Sequence, residues 1–289
     1  MTTKPVVVGV DGSEESLLAA EWGALEAKRH GLPLSIVSAL APAPPTRPHQ
    51  VSPAMVADVL RGASMRALGM ALVRVEEVAP GLEVTTEPLS GPPALAVAGR
   101  GSGAAMLVVG ARGAGGFAAM LLGSVSRYAA SRASCPVIVV RQATMAVHQE
   151  VAAGIRDPQD TCGALTFAFE EAAARHADLV VVHAWHWFPS ALGHADHEPA
   201  VQATMHPDQI SAEASRILSA TLDGWREKYP DVRVRQDVIR AHPARVLANY
   251  SARADLVVIG RHGNPGVGSV QNALLDHARG PVAVVPSGD

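Results

Sequence analysis

The feature that most constrains this chain is that it repeats itself. Shifted by 145 residues, Val6-Val-Val-Gly-Val10 falls on Val151-Ala-Ala-Gly-Ile155. Leu34-Ser-Ile-Val-Ser-Ala39 falls on Leu179-Val-Val-Val-His-Ala184, and Cys135-Pro-Val-Ile-Val-Val140 on Gly280-Pro-Val-Ala-Val-Val285. A repeat of this length has the size of an ordinary domain. The 289 residues are therefore expected as two copies of one domain, residues 1–143 and 148–289, joined near Gln142 to Glu150.

Each copy alternates two kinds of segment. In the first, β-branched runs at Val6–Val10, Leu34–Leu40, Leu82–Leu89, Met106–Val109 and Pro136–Val140 read as strands. Between them lie segments of helical character, Ser16–His30, about 54–79, Pro92–Arg100 and Ser124–Arg132. The first has Leu17, Leu18, Trp22 and Leu25 on one side and Gly31 at its end, with Asp11 or Ser13 placed to cap its start. Residues 41–53 carry five prolines and read as a loop. Strands alternating with helices imply an α/β domain with a doubly wound parallel sheet and helices on both faces. Unbroken Val/Ile/Leu runs fit strands buried on both sides.

Composition narrows the function. Hydrophobic residues make up 48% of the chain but aromatic ones only 4%, so the core is expected from Ala, Val and Leu. A net charge of −3 argues against nucleic acid and membrane surfaces as partners. No apolar run approaches the ~18 residues of a membrane span. Met1-Thr-Thr-Lys-Pro-Val-Val-Val runs almost directly into a strand, so no signal peptide and a cytoplasmic protein are expected. Cys135 and Cys162 show neither a disulfide framework nor metal spacing, and Cys135 reads as a buried small residue.

The chemistry concentrates after the fourth strand. Gly110-Ala-Arg-Gly113-Ala-Gly115-Gly116 follows Met106–Val109, and Gly123-Ser124-Val125-Ser126 then opens a helix. A buried strand, a loop of exposed backbone amides and a helix N-terminus together suit an anion, because unpaired N–H groups and the helix dipole present positive charge to it. Ser124 reads as an N-cap whose hydroxyl faces a phosphate. The spacing is neither that of Walker A nor of the dinucleotide fingerprint. The alternative is that these glycines merely turn the chain and Asp11 merely caps a helix.

Val8-Gly-Val-Asp-Gly-Ser13, Gly110-x2-Gly113-x9-Gly123-Ser124 and Cys135-Pro-Val-Ile-Val-Val140 resemble the universal stress protein family, in the tandem-domain arrangement of actinobacterial members. The resemblance covers nearly the whole chain. It implies five-stranded parallel sheets of order 3-2-1-4-5 and, for members with this glycine motif, bound ATP, with or without Mg2+. In that order strands one and four are neighbours, and their carboxyl ends form the switch-point crevice. By resemblance Gly9, Asp11 and Ala39 lie at the adenine and ribose. Gly110, Ala111, Arg112, Gly113, Gly115 and Gly116 approach the phosphates, with charge added by Arg112, and Gly123, Ser124, Val125 and Ser126 bind them. The resemblance also implies that the copies pair through their last strands. Those strands are otherwise exposed sheet edges that invite pairing, and a homodimer of the tandem chain is a further expected partner.

The second copy departs from this pattern. Gly154, Gly260, Arg261, His262 and Gly263 keep the first part, but Gly268-Ser269-Val270 follows after four intervening residues instead of nine. Gly110 matches Gly260 at an offset of 150 and Ser124 matches Ser269 at 145, so five loop residues are missing. Arg156 stands where Asp11 is expected, and a guanidinium cannot accept from a ribose hydroxyl. That copy has either lost its site or binds something else there, with Arg156 on a phosphate.

Other constellations are weaker. His183-Ala-Trp-His186 and His194-Ala-Asp-His197, with His206 beyond, are His-x-x-His pairs in a Pro-flanked loop, and they lack helical metal-ligand spacing, so no metal is expected. Trp185, Trp187 and Phe188 read as cover for a sheet end. Neither a catalytic triad nor a Mg-type acidic cluster stands out, and no catalytic residue is assigned. The expected function is a non-enzymatic, ATP-binding regulatory protein of stress adaptation or growth arrest. The alternatives are a weak ATP hydrolase or nucleotide-dependent transferase using the same crevice, and an interaction module without nucleotide.

Overall fold

A computed structural model gives the fold, and describes residues 3–39, 52–113, 121–141, 147–157, 163–186, 206–261 and 270–286. The first copy contributes β1 (Val6–Gly9), α1 (Glu14–His30), β2 (Leu34–Ser38), α2 (Pro53–Val78), β3 (Val84–Pro88), α3 (Pro93–Gly99), β4 (Met106–Gly110), α4 (Ser124–Arg132) and β5 (Val137–Val140). The second contributes β6 (Glu150–Ile155), α5 (Gly163–Arg175), β7 (Asp178–Trp185), α6 (Pro207–Lys228), β8 (Val234–Arg240), α7 (Pro243–Tyr250), β9 (Leu256–Gly260), α8 (Val270–His277) and β10 (Val282–Val285). Within each copy the element order is the expected one.

The ten strands make one continuous sheet, ordered β3-β2-β1-β4-β5-β10-β9-β6-β7-β8. Each half is a parallel 3-2-1-4-5 sheet, and the halves join where β5 runs antiparallel to β10. The central pair of that seam is Ile138 opposite Ala283, two residues the 145-residue repeat makes equivalent. A pseudo-two-fold axis therefore passes between them, and the two last strands close each other's open edge.

Alternation along the strands divides the core. Val6 and Val8 pack with Leu17, Leu165 and Phe169 on the face covered by α1, α2, α5 and α6. Val7 packs with Val97, Leu107 and Leu274 on the face covered by α3, α4, α7 and α8. Both faces are buried, which is why the strands read as unbroken apolar runs.

Helix α1 starts two residues earlier than its apolar spacing suggests, because its cap is Ser13, whose Oγ accepts from the Ser16 N–H at 3.3 Å. Glu14 and Glu15 occupy its first turn and Lys28, Arg29 and His30 its last, matching the helix dipole, and Gly31 closes it at φ 63°.

The two copies also meet at α1 and α5, on the same pseudo-axis. Arg175 donates to Glu26 at 2.7 Å and also pairs with Glu171. His30 lies 3.0 Å from Glu171 and 3.7 Å from Glu26. Glu26 and Glu171 are repeat equivalents, as are His30 and Arg175, so each copy offers one carboxylate and one basic group to the other. Among the described residues no helix is long and apolar enough to cross a membrane.

Candidate functional site

In copy one β1 lies between β2 and β4, with Gly9 opposite both Val37 and Val109. The chain leaves β1 for α1 on one face and leaves β4 for α4 on the other, which opens a crevice at their carboxyl ends. Asp11 sits at its mouth. Its Oδ1 accepts from the Ser13 N–H at 3.0 Å and the Ser13 hydroxyl at 2.6 Å, while its own N–H donates to Ser16 Oγ at 3.2 Å. This net fixes the carboxylate against the glycine loop: a Cβ on Gly113 would lie 2.3 Å from Asp11 Oδ2. No side chain fits there, so the loop backbone meets the carboxylate directly.

The other glycines are set by contacts of the same kind. A Cβ on Gly110 would come within 2.7 Å of the Glu15 carbonyl oxygen, because the first turn of α1 packs against the end of β4. Gly123 donates its N–H to the Ala111 carbonyl at 2.7 Å, folding the loop back on the strand. Gly123, not Ser124, is the N-cap of α4, and Ser124 is its exposed first residue. Helix geometry leaves the N–H groups of Ser124, Val125 and Ser126 without intrahelical acceptors.

Several predicted site residues have other partners. Arg112 does not extend free charge into the crevice. Its N–H and Nε donate to the two Glu15 carboxylate oxygens at 2.6 and 2.7 Å, and that bonding raises its pKa. The guanidinium meets Glu15 Oε1 through Nε and Nη2, and such charge-assisted hydrogen bonds are the physical reason. Ser126 is buried and donates to the Gly110 carbonyl at 2.6 Å, so its hydroxyl ties α4 to β4. Gly9 and Gly154 serve packing, since added Cβ atoms would meet Val97 at 2.9 Å and Leu247 at 2.7 Å. Ala39 is buried just past β2, and Ala111 is buried with its N–H donating to Val140. Gly115 and Gly116 lie outside the described residues.

Arg141, which follows β5, is a cation that sequence reasoning missed. It donates to the carbonyls of Leu121 and Leu275, each at 2.6 Å, so it bridges the copy-one loop and α8 of copy two. Burial lowers its pKa.

In copy two Gly260 ends β9 and Val270 begins α8, whereas His262, Gly263, Gly268 and Ser269 lie outside the described residues. Arg261 reaches into the other copy and donates to the Ala133 carbonyl at 2.7 Å. Burial and Arg132 lower its pKa. Arg156 is exposed.

Among the described residues the histidines of the His-x-x-His pairs form no group with ligand-like spacing. His183 is half-buried, 3.4 Å from the Ile155 carbonyl, and burial lowers its pKa. His206 caps α6 with Gln209, while His194 and His197 lie outside the described residues. Among the described residues the one grouping with ligand-like spacing is Glu26, His30 and Glu171 on the pseudo-axis, and Arg175 already pairs with both carboxylates. The Cys135 thiol is buried, which pushes its pKa up to about 11, and it is not a nucleophile at neutral pH.

Residues 2–141 and 149–286 each match the universal stress protein family. A universal stress protein of Mycobacterium tuberculosis is 36% identical over 292 residues, covering 96% of both chains. One of Mycolicibacterium smegmatis is 34% identical over 291 residues, covering 97% of this chain and 96% of its own. Among solved structures, a universal stress protein from Archaeoglobus fulgidus shares the fold at TM-score 0.70 and 17% identity, covering 99% of this chain and 97% of that one. The chain belongs to the universal stress protein family, as a tandem of two such domains.

Proposed function

We propose that the first copy binds an adenine nucleotide, ATP in the simplest case, and that its occupancy is the regulatory signal this protein carries in stress adaptation. The observation that carries the reading is the Asp11–Gly113 contact. It places a fixed carboxylate, able to accept from ribose hydroxyls, beside a loop that presents only backbone. The N-terminus of α4, beyond Gly123, supplies N–H donors for phosphates. Arg112 is bound to Glu15, so phosphate recognition in this reading is by backbone amides and not by a guanidinium clamp. The protein acts as a binder without catalysis, in the cytoplasm, as a homodimer of the tandem chain. The two units extend over about residues 1–143 and 148–289, and the intact site belongs to the first.

Heat extraction of the purified chain, followed by anion-exchange chromatography, is expected to release an adenine nucleotide. Gly113→Val drives a side chain into Asp11 and should weaken calorimetric ATP binding by tenfold or more. Unchanged affinity in that variant, or no binding by the wild type, refutes the reading. Phosphate release that depends on Mg2+ would convert it to the hydrolase alternative.

A further inference from the structure

The internal repeat supplies its own control, because the same fold carries two different surfaces at equivalent places. Between the end of β8 and the outer side of α7 lies a groove of about 730 Å3, a size typical of small-molecule sites. Arg240, His242, Arg245 and Arg253 line it, over a floor that includes Ile239 and Val246. At the 150-residue offset that aligns β3 with β8, those four basic positions correspond to Ser90, Pro92, Leu95 and Gly103 in copy one. The copy with the shortened nucleotide loop carries the cationic groove.

The groove is built by specific differences. In copy one β2 and β3 stop at Ser38 opposite Pro88, whereas β7 and β8 continue to Trp185 opposite Arg240. The extra residues bring the Arg240 guanidinium to 5.9 Å from the Trp185 ring centroid. On α7, Tyr250 takes the place of Arg100. Arg100 pairs with Glu87 in copy one, while the Tyr250 hydroxyl donates to Asp237, the equivalent acid. That acid is thus engaged by a neutral group, with Arg235 3.7 Å away, and the Tyr250 ring receives the face of Arg253 at 4.3 Å.

Stacking on a ring orients a guanidinium without using its in-plane N–H donors. Among the described residues Arg240, Arg245 and Arg253 have no carboxylate partner, in contrast to Arg216, Arg226, Arg233 and Arg235 of the same copy. In a chain of net charge −3, three guanidiniums without carboxylate partners around one concavity, two of them held on rings, mark a site for an anion. Among the described residues the buried indole N–H of Trp185, on which Arg240 rests, has no hydrogen-bond partner.

We propose that this groove of the second copy binds a small organic polyanion of the phosphate-ester class. The charged end lies on Arg240, Arg245 and Arg253, and the apolar part lies on Ile239 and Val246. The site lies at the sheet edge, away from the switch-point crevice, and is independent of nucleotide binding by copy one.

The test titrates the full chain with sodium tripolyphosphate at low ionic strength by calorimetry, in wild type and in Gly113→Val, where the first crevice is blocked. Both are expected to bind, and binding should weaken as salt is added. Arg245→Ala and Arg253→Ala, on exposed side chains, should leave the circular dichroism unchanged and each weaken binding about tenfold or more. Equal affinity in the arginine variants, or loss of all binding in Gly113→Val alone, overturns the assignment. So does a short fluorescein-labelled single-stranded RNA that displaces tripolyphosphate and binds more tightly, since the surface then reads a nucleic acid.

Discussion

Arg175→Met is the substitution that most directly tests how the two copies are held together. Arg175, Glu26 and Glu171 have side-chain exposures of 5%, 2% and 1%, and the guanidinium bridges carboxylates from both domains. Breaking a buried ion pair by deleting one partner costs about 3–5 kcal/mol, because a charge is left uncompensated. Proton uptake limits that cost. Holding a proton on a carboxyl group whose ordinary pKa is 4.5 costs about 3.4 kcal/mol at pH 7 and about 1.4 kcal/mol at pH 5.5, at 1.36 kcal/mol per unit.

The variant should therefore lose about 3 kcal/mol in urea unfolding at pH 7, followed by tryptophan fluorescence, and under half of that at pH 5.5. Adding Glu26→Gln and Glu171→Gln should restore much of the loss. A cost below about 1 kcal/mol at pH 7, or one that does not change between pH 5.5 and 8, refutes the reasoning.

The wild type has its own slope. The hydrogen bond to Glu171 raises the His30 pKa above 6.5. Its stabilisation is complete below 6.5 and is lost as pH rises through the folded value. Burial raises the Glu26 pKa, which acts in the same direction. The hydrogen bond from His30 and the Arg175 guanidinium outweigh burial and hold Glu171 below its usual range, so its contribution is lost only under stronger acid. The chain should be more stable at pH 6 than at pH 8. His30→Gln should flatten that slope, and His30→Arg, which copies the residue of the other domain, should flatten it while keeping the bridge.

Glu15→Gln removes the carboxylate that holds Arg112. Arg112 is 46% exposed, so stability should change by no more than ~1 kcal/mol. ATP affinity should rise as the guanidinium is released toward the crevice, and calorimetric affinity that falls instead would place Glu15 among the ligand contacts. Cys135 should resist thiol reagents in the folded chain at pH 8 and react on unfolding, as a pKa of about 11 and burial require. Rapid native labelling would contradict its placement.

Local signals carried most of the fold. The repeat located both domains, and the Val runs located strands because strands buried on two faces cannot alternate with polar residues. The expectation that Asp11, Gly113 and Gly123 lie at one site comes from the glycine spacing together with the family resemblance. The structure explains why these positions are small: a Cβ at Gly113 would lie 2.3 Å from Asp11 Oδ2 and one at Gly123 3.3 Å from the Ala111 carbonyl oxygen. The cap of α4 is Gly123 and not Ser124, and the pairing of Arg112 with Glu15 has no signal in the sequence. Glu15, 97 residues from Arg112, offers that guanidinium a matched carboxylate, and no periodicity reports such a partner.

The cluster on the pseudo-axis had a signal that spacing reveals only once the symmetry is known: Glu26 and Glu171 lie one repeat apart. Composition could not show that they face each other, because only the antiparallel β5–β10 seam brings α1 beside α5. The cationic groove is similar, since its arginines are scattered over β8, α7 and the turn after it and converge only where the strands run on to Trp185 and Arg240. The sequence by itself determined which segments are strands and helices, how many domains there are and which loop is rich in backbone amides. These follow from local periodicity and conformational freedom. Tertiary structure decided which charges are already neutralised and which are not, because that depends on partners brought together by packing across distant parts of the chain.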